Sequence, residues 1–248
     1  MKDFDIKEDL KADPKKSLKN KIVYGETRTL HRLHFEGLTG LIQPPFDEGI
    51  LADQYRQLKR RLLSELKFPF ILITSASEGE GKSTASINLA MSLSLEKDWQ
   101  VCLIDCSGSE RNCLSQLQVK AQYGLMDYLE DNVESISEYI LSTNYPNVKI
   151  LPYGKQSARR YELLSSRKMQ ALLHHLQDVY QNTVFVIDAP ELALSETRFL
   201  ANAVGNVVLV LEQGKTPISK VRSCLKEIDQ SKIAGVLYNK ASIFSLTD

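Results

Sequence analysis

Residues 68–96, FPFILITSASEGEGKSTASINLAMSLSLE, decide the fold. A strand-length apolar run, FPFILIT, passes without a break into SASEGEGKST and then into a helical stretch. That order builds a cradle for a phosphate chain. A tight loop turns its backbone N–H groups inward, and a helix N-terminus stands behind them. Gly79 and Gly81 let the backbone curl with no Cβ in the way, and Glu80 sits between them inside the loop. Lys82 is placed to reach the β- and γ-phosphates of ATP, Ser83 to ligate Mg²⁺ and Thr84 to touch the α-phosphate. The usual pattern carries a further glycine five residues before the Gly-Lys pair, where this chain has Ala76. The strand–loop–helix context carries the assignment in spite of that change.

Outward from this loop the chain alternates. Apolar runs of strand length fall at Pro69–Thr74, Gln100–Ile104, Val148–Leu151, Val184–Ile187, Val207–Leu211 and Ile233–Tyr238. Helical stretches lie between most of them, at Ser83–Leu95, Ser135–Leu141, Ser166–Val179, Ser195–Val204 and Ile218–Ile228. Nearly continuous apolar strands alternating with helices predict an α/β fold, a doubly wound and mostly parallel sheet covered on both faces. Ligands in such sheets bind at the carboxyl ends of strands. Two acids fall there: Asp105 closes VCLI and Asp188 closes VFVI. Both are candidates to hold the waters of a Mg²⁺ ion, although an aspartate at a strand end is also a common helix N-cap or turn residue.

Three segments follow. Residues 1–28 read as a solvated charged tail, 29–66 as an arm ending in a helix with Leu58, Leu62, Leu63 and Leu66 on one face, and 67–248 as the nucleotide-binding domain. With 31 basic and 31 acidic side chains in 248 residues, net charge gives no general attraction to nucleic acid. No apolar run approaches the roughly 20 residues that span a bilayer, and the start lacks the apolar core of a signal peptide. A cytoplasmic protein with reduced cysteines is expected, reaching a membrane only through a partner. The spacing of Cys102, Cys106 and Cys113 fits no common zinc pattern. His31 and His34 have no ligand-spaced neighbours, and Arg159 and Arg160 read as a solvated turn.

Several stretches occur together in a familiar order: LADQYRQLKRRLL, TSASEGEGKSTASINLAMSLS, VCLIDC, GLMDYLED, ILPYGKQSARRYELLSS, VFVIDAPELALSETRFLANAVGNVVLVLE and GVLYNK. Over about residues 30–240 the chain resembles the bacterial tyrosine kinases, cytoplasmic P-loop ATPases that work with membrane polysaccharide co-polymerases. LHFEGLTG ahead of YRQLKRRLL makes it most similar to the autokinases associated with exosortase and exopolysaccharide loci. The resemblance implies a P-loop NTPase fold of the class that includes chromosome- and division-site-positioning ATPases. It also implies ATP and Mg²⁺ as cofactors, a co-polymerase of the chain-length-determinant type as partner, and phosphoryl transfer to tyrosine or water.

By the same resemblance, Lys82 and Ser83 match the phosphate and metal ligands, Asp105 and Asp188 the two acidic motifs, and Asn239 an adenine contact. Asp53, Arg56 and Lys59 match a triplet that joins subunits into rings. Asp105 is expected to orient or deprotonate the nucleophile. The chain departs from the family at Ser107, where a second acid is usual, and in having no tyrosine after Tyr238, which is read as a core-strand residue. Tyr24 is the tyrosine expected to reach a neighbouring site. The alternatives are a catalytically weak nucleotide-gated scaffold and a positioning ATPase. The latter carries a lysine early in its P-loop, at the place of Ser77 here.

Overall fold

The computed structural model describes residues 50–241, apart from 65–68, 111, 118–120, 132–134 and 144. The expected tail, most of the arm, Tyr24, His31 and His34 lie outside the described residues. Seven strands make one sheet: β1 (Phe70–Ser75), β2 (Gln100–Asp105), β3 (Leu141–Ser142), β4 (Val148–Leu151), β5 (Thr183–Asp188), β6 (Asn206–Glu212) and β7 (Ile233–Asn239). Their order is β3-β4-β2-β5-β1-β6-β7, parallel throughout except for the antiparallel edge strand β3. The chain first builds from β1 toward β4, returns with β5 between β2 and β1, and then builds the other way. That reversal leaves the crevice for a ligand at the carboxyl ends of β1 and β5.

The helices are α1 (Ile50–Ser64), α2 (Lys82–Leu93), α3 (Cys113–Gln116), α4 (Leu125–Glu130), α5 (Arg160–Leu164), α6 (Arg167–Val179), α7 (Ser195–Ala203) and α8 (Ile218–Leu225). Side chains alternate across the sheet. Phe70, Leu72, Phe185 and Ile187 point into one core with Leu129, Leu172, Leu176 and Leu200 of α4, α6 and α7. Ile71, Ile73, Val184 and Val186 point into the other with Leu62, Ile87 and Leu89 of α1 and α2. Every residue of β1 and β5 is buried, which explains why these strands are apolar on both faces.

Three expectations are corrected. The stretch read as a helix at Ser135–Leu141 forms only a 3-10 turn, Ile136–Glu138, and then β3. Ser135 caps the turn by accepting from Ser137 N–H, only Ile136 of the turn is buried, and Leu141 pairs with Ile150. One buried side chain cannot hold a helix against a sheet. Tyr238 is not a core residue but 67 % exposed, because β7 is an edge strand where Leu237 rather than Tyr238 packs into the core. Lys59 does not share the exposed face of Asp53 and Arg56. It is buried, with Nζ 3.2 Å from Ser92 O and 2.6 Å from Glu96 Oε1, so it fastens α1 to the far end of α2. Asp53 is exposed and pairs with Arg56 at 3.4 Å.

Candidate active site

Where β1 turns into α2, the backbone takes the left-handed conformation twice, at Gly79 (φ +78°) and Gly81 (φ +97°). Gly81 is the residue before α2, and no side chain caps its N-terminus. The first N–H groups of a twelve-residue helix are therefore left for a ligand, and an anion is the ligand they favour. Ala76 needs no glycine: it is fully buried, and among the described residues other than glycine only Asn182 and Lys240 have positive φ.

The loop is held from behind by the end of β7. Asn239 Nδ2 donates to Glu80 O at 2.8 Å, and Lys240 Nζ donates to Gly79 O at 2.8 Å. Asn239 packs so closely that a Cβ on Gly81 would fall 2.0 Å from Nδ2. Glu80 turns its carboxylate back into the protein, accepting from Ser77 N–H at 3.0 Å and from the Thr216 hydroxyl. Its side chain braces the loop, while its peptide group lies in the cradle. Thr84 at the start of α2 donates to Gln116 Oε1 of α3 at 2.8 Å.

Asp105 and Asp188 are register partners on adjacent strands, and both are fully buried. Asp188 Oδ2 accepts from Ser83 Oγ at 2.6 Å and from Cys113 Sγ at 3.2 Å, while Oδ1 accepts from Ser86 Oγ at 3.3 Å. Asp105 Oδ1 accepts from both Ser107 N–H and Ser107 Oγ at 3.0 Å. Its Oδ2 is buried and has no partner. Burial first, and the Asp188 charge second, push the Asp105 carboxyl up to about 7. Burial also raises Asp188, against the hydrogen bonds from Ser83 and Cys113 and the charge of Lys82. Two buried acids side by side with one oxygen unpaired are costly without a counterion.

A divalent cation fits that deficit. Among the described residues no cluster of three or more His, Cys, Asp or Glu could hold an ion alone. Mg²⁺ in nucleotide sites does not need one: it is held by a hydroxyl, phosphate oxygens and waters bound to carboxylates. Ser83, Asp188 and the orphaned Asp105 oxygen are the residues that would supply that donor set. Ser107, in place of an acid, serves Asp105 instead.

Lys82 is buried beside this pair, and its Nζ lies 3.3 Å from Glu191 Oε1. Sequence reading passed over Glu191, although it stands only three residues beyond Asp188. It also tested Cys113 for zinc and missed its bond to Asp188. Arg160 is not a free turn residue, since it pairs at 2.9 Å with the buried Glu196 of α7.

Known proteins resemble this chain in sequence and in fold. Residues 69–235 match the AAA domain family model. A tyrosine-protein kinase, CpsD of Streptococcus agalactiae, is 30 % identical over 178 residues, covering 69 % of this chain and 74 % of the relative. The solved VpsO kinase domain superposes with a TM-score of 0.67 at 30 % identity, covering 77 % of this chain and 96 % of that one. The MinD cell division protein of Aquifex aeolicus shares the fold at 18 % identity and a TM-score of 0.54, covering 71 % of each chain.

Proposed function

This chain belongs to the AAA domain family and, within it, to the bacterial tyrosine kinases, and from that premise we propose that it transfers the γ-phosphoryl group of ATP·Mg²⁺ to a tyrosine hydroxyl. The observation that carries the reading is the arrangement at the head of α2. An uncapped helix N-terminus, the Lys82 ammonium and a Ser83 hydroxyl 2.6 Å from a strand-end acid meet at one point.

Each side chain has a distinct part. The amides of Gly79 to Ser83 receive the phosphate oxygens, and Lys82 neutralises charge on the β- and γ-phosphates. Thr84 stands by the α-phosphate, and Asn239, already on the Glu80 carbonyl, borders the place of the adenine. Ser83 would hold Mg²⁺, with Asp188 and Asp105 ordering its waters, and the ion would draw charge off the transferring group. Asp105 has no solvent-exposed surface, so it serves the ion rather than an entering hydroxyl.

We also place the protein in exopolysaccharide synthesis, at the cytoplasmic side of a membrane and docked on a polysaccharide co-polymerase. The kinship with CpsD supports this. No described helix is long and apolar enough to cross a membrane. Self-association would use the exposed Asp53–Arg56 side of α1. Lys59 would only hold that helix in place.

The test is incubation of the full chain with γ-labelled ATP and Mg²⁺, following protein phosphotyrosine and released phosphate together. Phosphotyrosine is expected, and Lys82→Ala should lower it by at least about 10²-fold, the scale of losing one preorganised charge contact. Turnover by Lys82→Ala at the wild-type rate refutes the site. Phosphate release without phosphotyrosine makes the protein an ATPase. Neither product, with ATP bound, makes it a scaffold.

A further inference from the structure

Three carboxylates lie at the head of the site, Asp188 on Ser83, Glu191 on Lys82 and Asp105 beside Asp188, and they differ in what they can meet. Asp188 is fully buried and accepts from Ser83, Ser86 and Cys113. Asp105 is equally buried and held by Ser107. Neither has surface to offer a group arriving from solvent. Glu191 does. It lies between β5 and α7, its side chain is 23 % exposed, and Oε1 is 3.3 Å from Lys82 Nζ. In a phosphate loop this ammonium rests on the β- and γ-phosphates. A carboxylate that touches the ammonium and also reaches solvent is therefore close to the place of the γ-phosphate and open to an arriving group.

We propose that Glu191 is the base of phosphoryl transfer: it holds Lys82 until ATP arrives, yields the ammonium to the γ-phosphate, and then takes the proton of the attacking hydroxyl. The inference rests on the kinase reading above. The γ-phosphate oxygens, themselves negative, repel the released carboxylate and leave its lone pairs to an O–H donor. The hydroxyl oxygen of tyrosine, or of water, forms a bond to the γ-phosphorus. The bond from that phosphorus to the β–γ bridging oxygen breaks, and ADP leaves with the electron pair. The hydroxyl proton passes to Glu191, which returns it to solvent through its exposed edge. A base must come within about 2.6–3.2 Å of the proton's oxygen, and of the three acids only Glu191 has a path to one.

The proposal has an unusual signature, because the same carboxylate competes with ATP for Lys82. Glu191→Gln should bind a fluorescent ATP analogue in EDTA about 3- to 10-fold more tightly than wild type, while its single-turnover rate with ATP·Mg²⁺ falls by about 10²- to 10⁴-fold, the usual share of a general base. Glu191→Asp, which keeps the carboxylate on a shorter stem, should recover part of that rate. A merely structural residue would lose binding and rate together, so weakened binding in Glu191→Gln overturns the proposal. So does a Glu191→Gln rate within about threefold of wild type. A wild-type protein that binds the analogue but transfers no phosphoryl group overturns both this proposal and the kinase reading. An active wild type with an equally active Glu191→Gln overturns this one alone.

Discussion

Replacing Asp105 by asparagine should make the ion-free protein more stable while it damages function. The carboxyl is carried from an ordinary 3.8 to about 7, by burial first and by Asp188 second. At about 1.4 kcal/mol per pH unit, that rise withholds about 4 kcal/mol from the folded state above pH 7. Asparagine keeps an acceptor for the two Ser107 donors and loses only their charge-assisted strength. It also puts an NH₂ group where Asp105 Oδ2 has no partner. A net gain of about 2 kcal/mol is expected, or about 4–8 °C in Tm for a domain of this size.

The sign fixes the pH dependence. The folded-state value lies above the unfolded one, so the native protein holds the extra proton between about pH 4 and 7, and wild-type stability falls as pH rises through that window. The gap between variant and wild type should be widest near pH 8 and close toward pH 4. Thermal unfolding without nucleotide or divalent ion, at pH 4, 6 and 8, measures it. Addition of ATP·Mg²⁺ should then stabilise wild type more than Asp105→Asn. A variant no more stable than wild type at pH 8, or a gap that is the same at every pH, would show that Asp105 is not a carboxyl kept in a costly state.

Two further outcomes are expected. Gly81→Ala forces a side chain into φ +97° with its Cβ 2.0 Å from Asn239 Nδ2, and should cost about 1–3 kcal/mol in thermal unfolding. It should also loosen nucleotide binding, and an unchanged affinity in a fluorescent-analogue titration would contradict the proposed loop geometry. Lys59→Met keeps the buried stem but removes the contacts to Ser92 O and Glu96, and should lower the stability measured by urea unfolding by about 1–3 kcal/mol. A free energy of unfolding equal to wild type would mean that α1 is held by its apolar face alone.

What was legible in the sequence follows from the range of the interactions involved. β1, β2 and β4 to β7 could be read within a residue or two: the inner strands are buried on both faces and so apolar throughout, and the edge strand β7 carries an apolar run as well. The loop and the two strand-end acids were equally plain, since Gly79, Gly81, Lys82 and Ser83 act through local backbone geometry and the acids end strands. Glu191, Cys113 and Lys59 were not legible. Their roles depend on partners 109, 75 and 33 residues away, which no local periodicity reports. Lys59 was misplaced because each step of three residues slips about 60° around a helix, so Lys59 lies about 120° from Asp53 and falls on the buried side. Tyr238 failed for a related reason: an apolar strand pattern does not say that the strand lies at an edge.

The Lys59 contact has a consequence at the other end of α2. The twelve residues from Lys82 to Leu93 make a rod about 18 Å long. Its peptide dipoles gather partial positive charge at the head, where the loop amides open, and partial negative charge at the tail, where Ser92 O accepts from the Lys59 ammonium. A cation borrowed from α1 thus terminates the electrical axis whose other pole would meet a triphosphate. Any movement that lifts α1 away from the sheet would strip the Ser92 carbonyl and the Glu96 carboxylate of their shared cation, with no displacement of a residue that touches nucleotide. The seating of α1 and the head of α2 are in this way joined through one helix, whose tail Lys59 holds while its first amides open on the loop.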